Sequence, residues 1–117
     1  MENDKINENL IVRLSFDFSL LIIDFAEILE SKKKFVVANQ LLKSGTSIGA
    51  NIWEAQNAES KADFVHKMKI SAKESEETKY WLLLCEHSIQ YPECGSLIDK
   101  LEIIQKVLNK IISTSKR

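Results

Sequence analysis

The sequence predicts an all-α protein, an antiparallel up-down-up-down four-helix bundle that works as a homo-oligomer, and three observations carry the bundle. Three glycines and one proline in 117 residues are too few for the many tight turns of a sandwich or barrel, while Leu, Ile, Lys and Glu are frequent. Apolar residues recur in steps of three and four, the period of a helix rather than a strand. The breaks between periodic segments are short, so neighbouring helices must run antiparallel. An apolar fraction of 44% with 28% charged residues fits one soluble domain spanning residues 1–117.

The first helix is expected over about residues 6–30, a stretch free of glycine and proline. Arg13, Asp17, Asp24 and Glu27 fall in one narrow polar stripe, leaving an apolar arc wider than one bundle core needs. Leu10, Leu14, Phe18, Leu21, Phe25 and Ile28 form one seam, expected to face the core. Val12, Phe16, Ile23 and Ala26 form a second on another side of the helix, which either stays wet or meets another chain. Val12, Phe16 and Ile23, with Trp53 of the second helix, are therefore the candidate oligomer interface.

The charged run Ser31 to Lys34 connects to a second helix, residues 36–57, in which Ala38, Leu41, Gly45, Ile48, Ile52 and Ala55 repeat at helical spacing. Gly45 and Gly49 each cost a helix interior about 1 kcal/mol relative to Ala, and a tight crossing of two backbones is the natural compensation. A break at these glycines would give a three-helix layout instead. Asn51 and Glu54, three residues apart on an otherwise apolar or small-residue helix, are expected to sit half-buried together as a polar pair that fixes register.

Ser60 followed by Asp63 reads as a capping box and opens a third helix, residues 61–90, ending before Pro92. Its stripe runs Phe64, Met68, Ser71, Ser75, Thr78, Leu82, Cys85, Ile89, with a small, polar middle that suits a close neighbour, the Gly45 and Gly49 face being the candidate. Ser96 and Asp99 repeat the capping pattern and open a fourth helix, residues 97–114, with one apolar side through Leu97, Leu101, Ile104, Leu108 and Ile111.

Catalytic and cofactor chemistry find little support. No His-x-x-x-His, Glu-x-x-His or Cys-x-x-Cys pattern is present, and Cys85, His87 and Cys94 lack a fourth metal ligand. No phosphate-binding glycine loop or nucleophile elbow appears. The expectation is a protein with no catalytic, cofactor-binding or metal-binding residues and no small-molecule substrate. Two cysteines make no disulfide framework, no export segment opens the chain, and Arg13, Asp17, Asp24 and Glu27 interrupt its longest apolar stretch. A cytoplasmic location away from the membrane follows. Glu74, Glu76 and Glu77 beside Lys73 and Lys79 read as a solvated, salt-bridged face.

Net charge is −1, with seven acids against two bases in residues 1–30. Lys32, Lys33, Lys34 and Lys43 stand with no acid between them, and together with Lys110, Lys116 and Arg117 they are the candidate contacts for RNA or DNA. A ring of copies would multiply such a weak contact.

Residues 41–55, Leu-Leu-Lys-Ser-Gly-Thr-Ser-Ile-Gly-Ala-Asn-Ile-Trp-Glu-Ala, then Ser60 to Phe64, then Lys73 to Leu82, resemble the bacterial four-helix-bundle family encoded in intervening sequences of 23S ribosomal RNA genes and often labelled ribosomal proteins. The most specific parts are Ser47-Ile48-x-Ala50-Asn51-Ile52-x-Glu54-Ala55 and Glu77-Thr78-x-Tyr80-Trp81-Leu82. The resemblance covers about residues 10–112. It implies an up-down four-helix bundle assembled as a ring-like homopentamer, without cofactor or known catalysis. A related protein, the accessory subunit of diversity-generating retroelements, is a pentameric barrel that binds nucleic acid and a reverse transcriptase. Those accessory proteins are strongly basic, and this chain is not. The function expected is thus a non-enzymatic oligomeric scaffold or adaptor, with a nucleic-acid-binding accessory factor as the alternative.

Overall fold

The computed structural model describes residues 2–116, with side chains from residue 9 onward. These residues form four helices, α1 (Glu2–Ser31), α2 (Phe35–Ala55), α3 (Lys61–His87) and α4 (Gly95–Ser115), and no strand. A helix of 30 residues is about 45 Å long at the usual rise, which accounts for the molecule's long dimension of 46 Å. Around the bundle α1 packs on α2 and α4, and α3 packs on the same two helices from the other side.

Contacts pair rising numbers on one helix with falling numbers on the next. Gly45 meets Ile22 while Gly49 meets Ser15 and Ser19; Ser44 meets Thr78 while the Ile48 carbonyl meets Ser71; Glu102 meets Lys79 while Gln105 meets Ser75. α2 runs unbroken through both glycines. A methyl group at Gly45 would lie 2.8 Å from the Ile22 side chain, and one at Gly49 would lie 3.2 Å from the Ser15 carbonyl oxygen. The two glycines therefore serve a tight crossing with α1. The expected partner was α3, but α3 instead faces Ser44 and Ile48 and is held by hydrogen bonds through its small polar middle. Ser71 Oγ donates to the Ile48 carbonyl at 2.9 Å, and Thr78 Oγ1 hydrogen-bonds Ser44 Oγ at 3.0 Å. Both lie fully inside the core, where an unmade bond would cost about 1–3 kcal/mol.

The core stripes of α2 and α4 match the periodic residues: Ala38, Leu41, Gly45, Ile48, Ile52 and Ala55 are buried, as are Leu97, Leu101, Ile104, Leu108 and Ile111. On α1 the outcome differs. Its buried line is Ile11, Ser15, Phe18, Ile22, Phe25, Ala26 and Leu29, which runs between the two seams that periodicity suggests. Leu21 and Ile28 of the first seam are exposed, and Ala26 of the second is buried. The reason is that α1 must present Ser15, Ser19 and Ile22 to the glycines of α2, and this turns its midline inward. The remaining residues of both proposed seams then become shoulders on either side of the core.

The connections explain the helix ends. After α1, Lys34 N donates to the Leu29 carbonyl and Lys33 N to that of Glu30, a Schellman closure. It places Lys33 at φ 64°, the left-handed region usually left to glycine. At α3 the sequence-predicted cap is present: Ser60 Oγ accepts from Asp63 N at 3.0 Å, and Asp63 Oδ2 accepts from Glu59 N. α3 ends at His87 rather than near residue 90, so Ile89 leaves the stripe and is fully exposed. At α4 the expected Ser96–Asp99 box is absent. The helix begins at Gly95, its N-cap is Cys94, and Glu86 Oε1 accepts from Cys94 N at 2.8 Å.

Candidate assembly groove

The crossing of α1 over α2 leaves a groove along its outer side. Because the glycines bring the two helices close, residues one step outside the contact on each helix look toward each other across a shallow trough. Val12, Phe16 and Ile23 line it from α1, and Trp53 lines it from α2, around a cavity of about 320 Å³. The four residues proposed from the sequence thus share one place. Phe16 is 53% exposed, Ile23 39% and Trp53 60%, so three large apolar side chains lie open to water side by side. The Phe16 and Trp53 rings stand 6.5 Å apart between centroids, tilted by 35°, within the range where aromatic pairs attract.

Periodicity had not singled out Leu20, Thr46 or Ala50, which complete the lining. Leu20 lies one turn beyond Phe16, Ala50 and Thr46 one and two turns before Trp53, so extending each candidate by a helical turn would have found them. On the opposite shoulder of α1 a second, separate groove is lined by Leu14, Phe18 and Leu21 and, from α4, Ile103 and Ile104, with the charged Asp17 and Lys100 at its edge. Leu21 and Ile103 are exposed, the latter by 53%.

The other proposed site residues are dispersed. Asn51 and Glu54 do not form a buried pair: Asn51 Nδ2 donates to the Ser47 carbonyl at 2.8 Å, while Glu54 is exposed and ion-paired at 3.1 Å with Lys67 of α3. Three residues along a helix turn a side chain about 300°, which here sends Glu54 to the surface beside α3. Nor do the lysines form one patch. Lys32, Lys33 and Lys34 occupy the α1–α2 connection, and Lys34 Nζ sits 4.9 Å from the centre of the Tyr91 ring. Lys43 is exposed two turns into α2. Lys116 is at the far end of the bundle, where α4 finishes, and Arg117 lies outside the described residues.

Cys85 and Cys94 are both buried free thiols. Burial pushes the Cys85 thiol up to about 11; burial first, then Cys85 and Glu86, push Cys94 up to about 12. Both are therefore protonated and unreactive near neutrality. Cys94 Sγ donates to the Leu82 carbonyl at 3.1 Å. Among the described residues no cluster of three His, Cys, Asp or Glu side chains could hold a metal ion. No helix among them is long and apolar enough to cross a membrane.

The residues of the resemblance have structural tasks in this arrangement. Gly49 permits the crossing, Trp53 walls the groove, Glu77 Oε2 accepts from Trp81 Nε1 at 3.2 Å, and Thr78 is bonded inside the core. The family model for 23S rRNA-intervening sequence proteins matches residues 7–110, which takes in all of these positions. The chain belongs to the 23S rRNA-intervening sequence protein family. A crystal structure of a protein with unknown function from the S23 ribosomal protein family of Bacteroides thetaiotaomicron VPI-5482 superposes with a TM-score of 0.87 at 38% identity, covering 92% of this chain and 98% of the other. A search of curated proteins finds no match. For this 23S rRNA-intervening sequence protein, then, neither the family nor the solved relative indicates an enzymatic activity.

Proposed function

We propose that the protein is a non-enzymatic scaffold or adaptor of the cytoplasm, one up-down-up-down helical domain whose copies assemble side by side into a ring through the α1–α2 groove. The observation that carries this reading is the apolar groove of Phe16, Ile23 and Trp53, open to water along the outer edge of the helix crossing. Exposed large apolar side chains are ordinary when scattered, whereas a contiguous set marks a contact surface. A second observation favours a ring over a two-fold pair. The apolar groove on the other shoulder of α1, at Leu14, Leu21 and Ile103, differs in shape and residues from the first. Two unlike apolar faces on one subunit suit a heterologous contact, face to opposite face, which closes into a ring when the rotation permits. Five subunits is the number that the family resemblance implies. In such a ring the first helix is sheltered on three sides, with Asp17 of its polar stripe at the edge of the second contact.

The test is Phe16→Glu and Ile23→Glu, each read by light scattering after size exclusion and by far-ultraviolet circular dichroism. The expected result is loss of the oligomer with helical content kept, because both side chains lie outside the core. Wild-type mass in both variants would overturn the reading.

A further inference from the structure

Where α3 begins and α4 ends, one end of the bundle carries a cavity of about 460 Å³ that sequence reasoning did not find. Lys61, Val65, His66 and Lys69 line it from α3, and Ser115 and Lys116 from α4. Among the described residues no carboxylate lines it.

We propose that this cavity binds a phosphoryl oxyanion, held between Lys69 and Lys116 with His66 and Ser115 as further donors. Two lysine side chains from different helices converge here although like charges repel. The contact is close enough that Lys116, chiefly by hydrogen bonding and then by its charge, holds Lys69 below the ordinary lysine value. An anion seated between them would reverse that effect by favouring the charged form of both amines. A phosphoryl group suits this pair better than a carboxylate, since it offers more acceptor oxygens and up to two charges, enough to meet both ammonium groups at once; lysine is a common point-charge partner for phosphate. The cavity opens at the tip of the bundle and belongs to neither apolar groove, so the proposal does not depend on ring assembly.

A phosphoryl group could arrive as a free phosphate or as the backbone of a nucleic acid, and two probes separate these sources. Amide shifts in proton–nitrogen correlation spectra of the full-length protein are followed during titration with inorganic phosphate, and separately with a single-stranded RNA oligonucleotide, each against chloride at matched ionic strength. Saturable shifts centred on Val65, His66, Lys69 and Ser115 with either probe are expected. Lys69→Gln and Lys116→Gln, at exposed positions where the fold is undisturbed, should each weaken that binding by about tenfold, the effect of losing one charge-assisted hydrogen bond. Saturation by RNA alone, with affinity that falls steeply as salt is raised, assigns the site to a polynucleotide backbone; saturation by phosphate assigns it to a small ligand. Shifts that fail to saturate with both probes, or that are as large at Lys32 and Lys33 as at Lys69, overturn the proposal, as does unchanged affinity in both variants.

Discussion

Replacing Gly45 by Ala sets two known effects against each other at one atom. An alanine in a helix interior is favoured over glycine by about 1 kcal/mol. Against this, the new Cβ would lie 2.8 Å from Ile22 Cγ2 and 3.0 Å from Ile22 Cγ1. Those carbons are bonded directly to Ile22 Cβ, and a β-branched residue in a helix has one strongly preferred χ1. Ile22 is also fully buried, so it has nowhere to turn. The helices must separate instead, loosening the closest contact of α1 with α2, and overpacking of this kind costs about 1–3 kcal/mol. The expected net effect is a destabilisation of about 1–2 kcal/mol or somewhat less. Ile22→Ala alone should cost about 2–5 kcal/mol through the cavity it leaves. In the double variant the methyl of residue 45 enters that cavity, so the combined loss should fall short of the sum by about 1–3 kcal/mol. Urea denaturation at one fixed protein concentration measures all four corners, the concentration being held because the assembly proposed above would link it to stability. A Gly45→Ala variant stabilised by the full helix-propensity gain, or strict additivity in the double variant, would refute the close crossing as the reason for the glycine.

Three further outcomes are expected. Lys33→Gly should stabilise the protein by about 0.5–1 kcal/mol, since Lys33 holds a left-handed conformation at φ 64° that glycine adopts without strain; a thermal midpoint unchanged or lowered would contradict this. Thr78→Val keeps the shape but leaves the buried Ser44 hydroxyl without its partner, and should cost about 1–3 kcal/mol in urea denaturation; a neutral effect would show that Ser44 finds another acceptor. Above pH 9 the unfolded chain releases its thiol protons, whereas Cys85 and Cys94 hold theirs up to about 11 and about 12. The unfolded state then binds fewer protons, so stability is intact below pH 9 and falls as pH rises, by about 3 kcal/mol in all for Cys85 and about 4 kcal/mol for Cys94. Cys85→Ala with Cys94→Ala should flatten that alkaline slope, and an unchanged slope between pH 9 and 11 would assign it to other groups.

How far the sequence could be read depended on whether a residue's direction was decided within its own helix. α4 is apolar on one side only, so Leu97 through Ile111 could point nowhere but inward, and they do. α1 is apolar around most of its circumference, so its pattern allows several midlines. The choice among them was made by Gly45 and Gly49 of another helix, which admit Ile22 and Ser15 closely. Hence the two seams were displaced while their surplus was real: the midline that the glycines select leaves Val12, Phe16 and Ile23 beside the core, where they line a groove with Trp53. Of the cavity at Lys69 and Lys116 the sequence marked only Lys116, because its charges come from two helices and meet only where those helix ends meet. The same distinction separates the two capping patterns. Ser60 faces no competitor, and its hydroxyl takes the Asp63 amide as local chemistry dictates. Ser96 carries the same pattern, yet the Cys94 thiol is tied to the Leu82 carbonyl and the Cys94 amide to Glu86, both on α3. Those tertiary bonds fix the start of α4 before Ser96 can cap it, so a local signal decides a helix end only where no neighbouring helix offers the backbone a better partner.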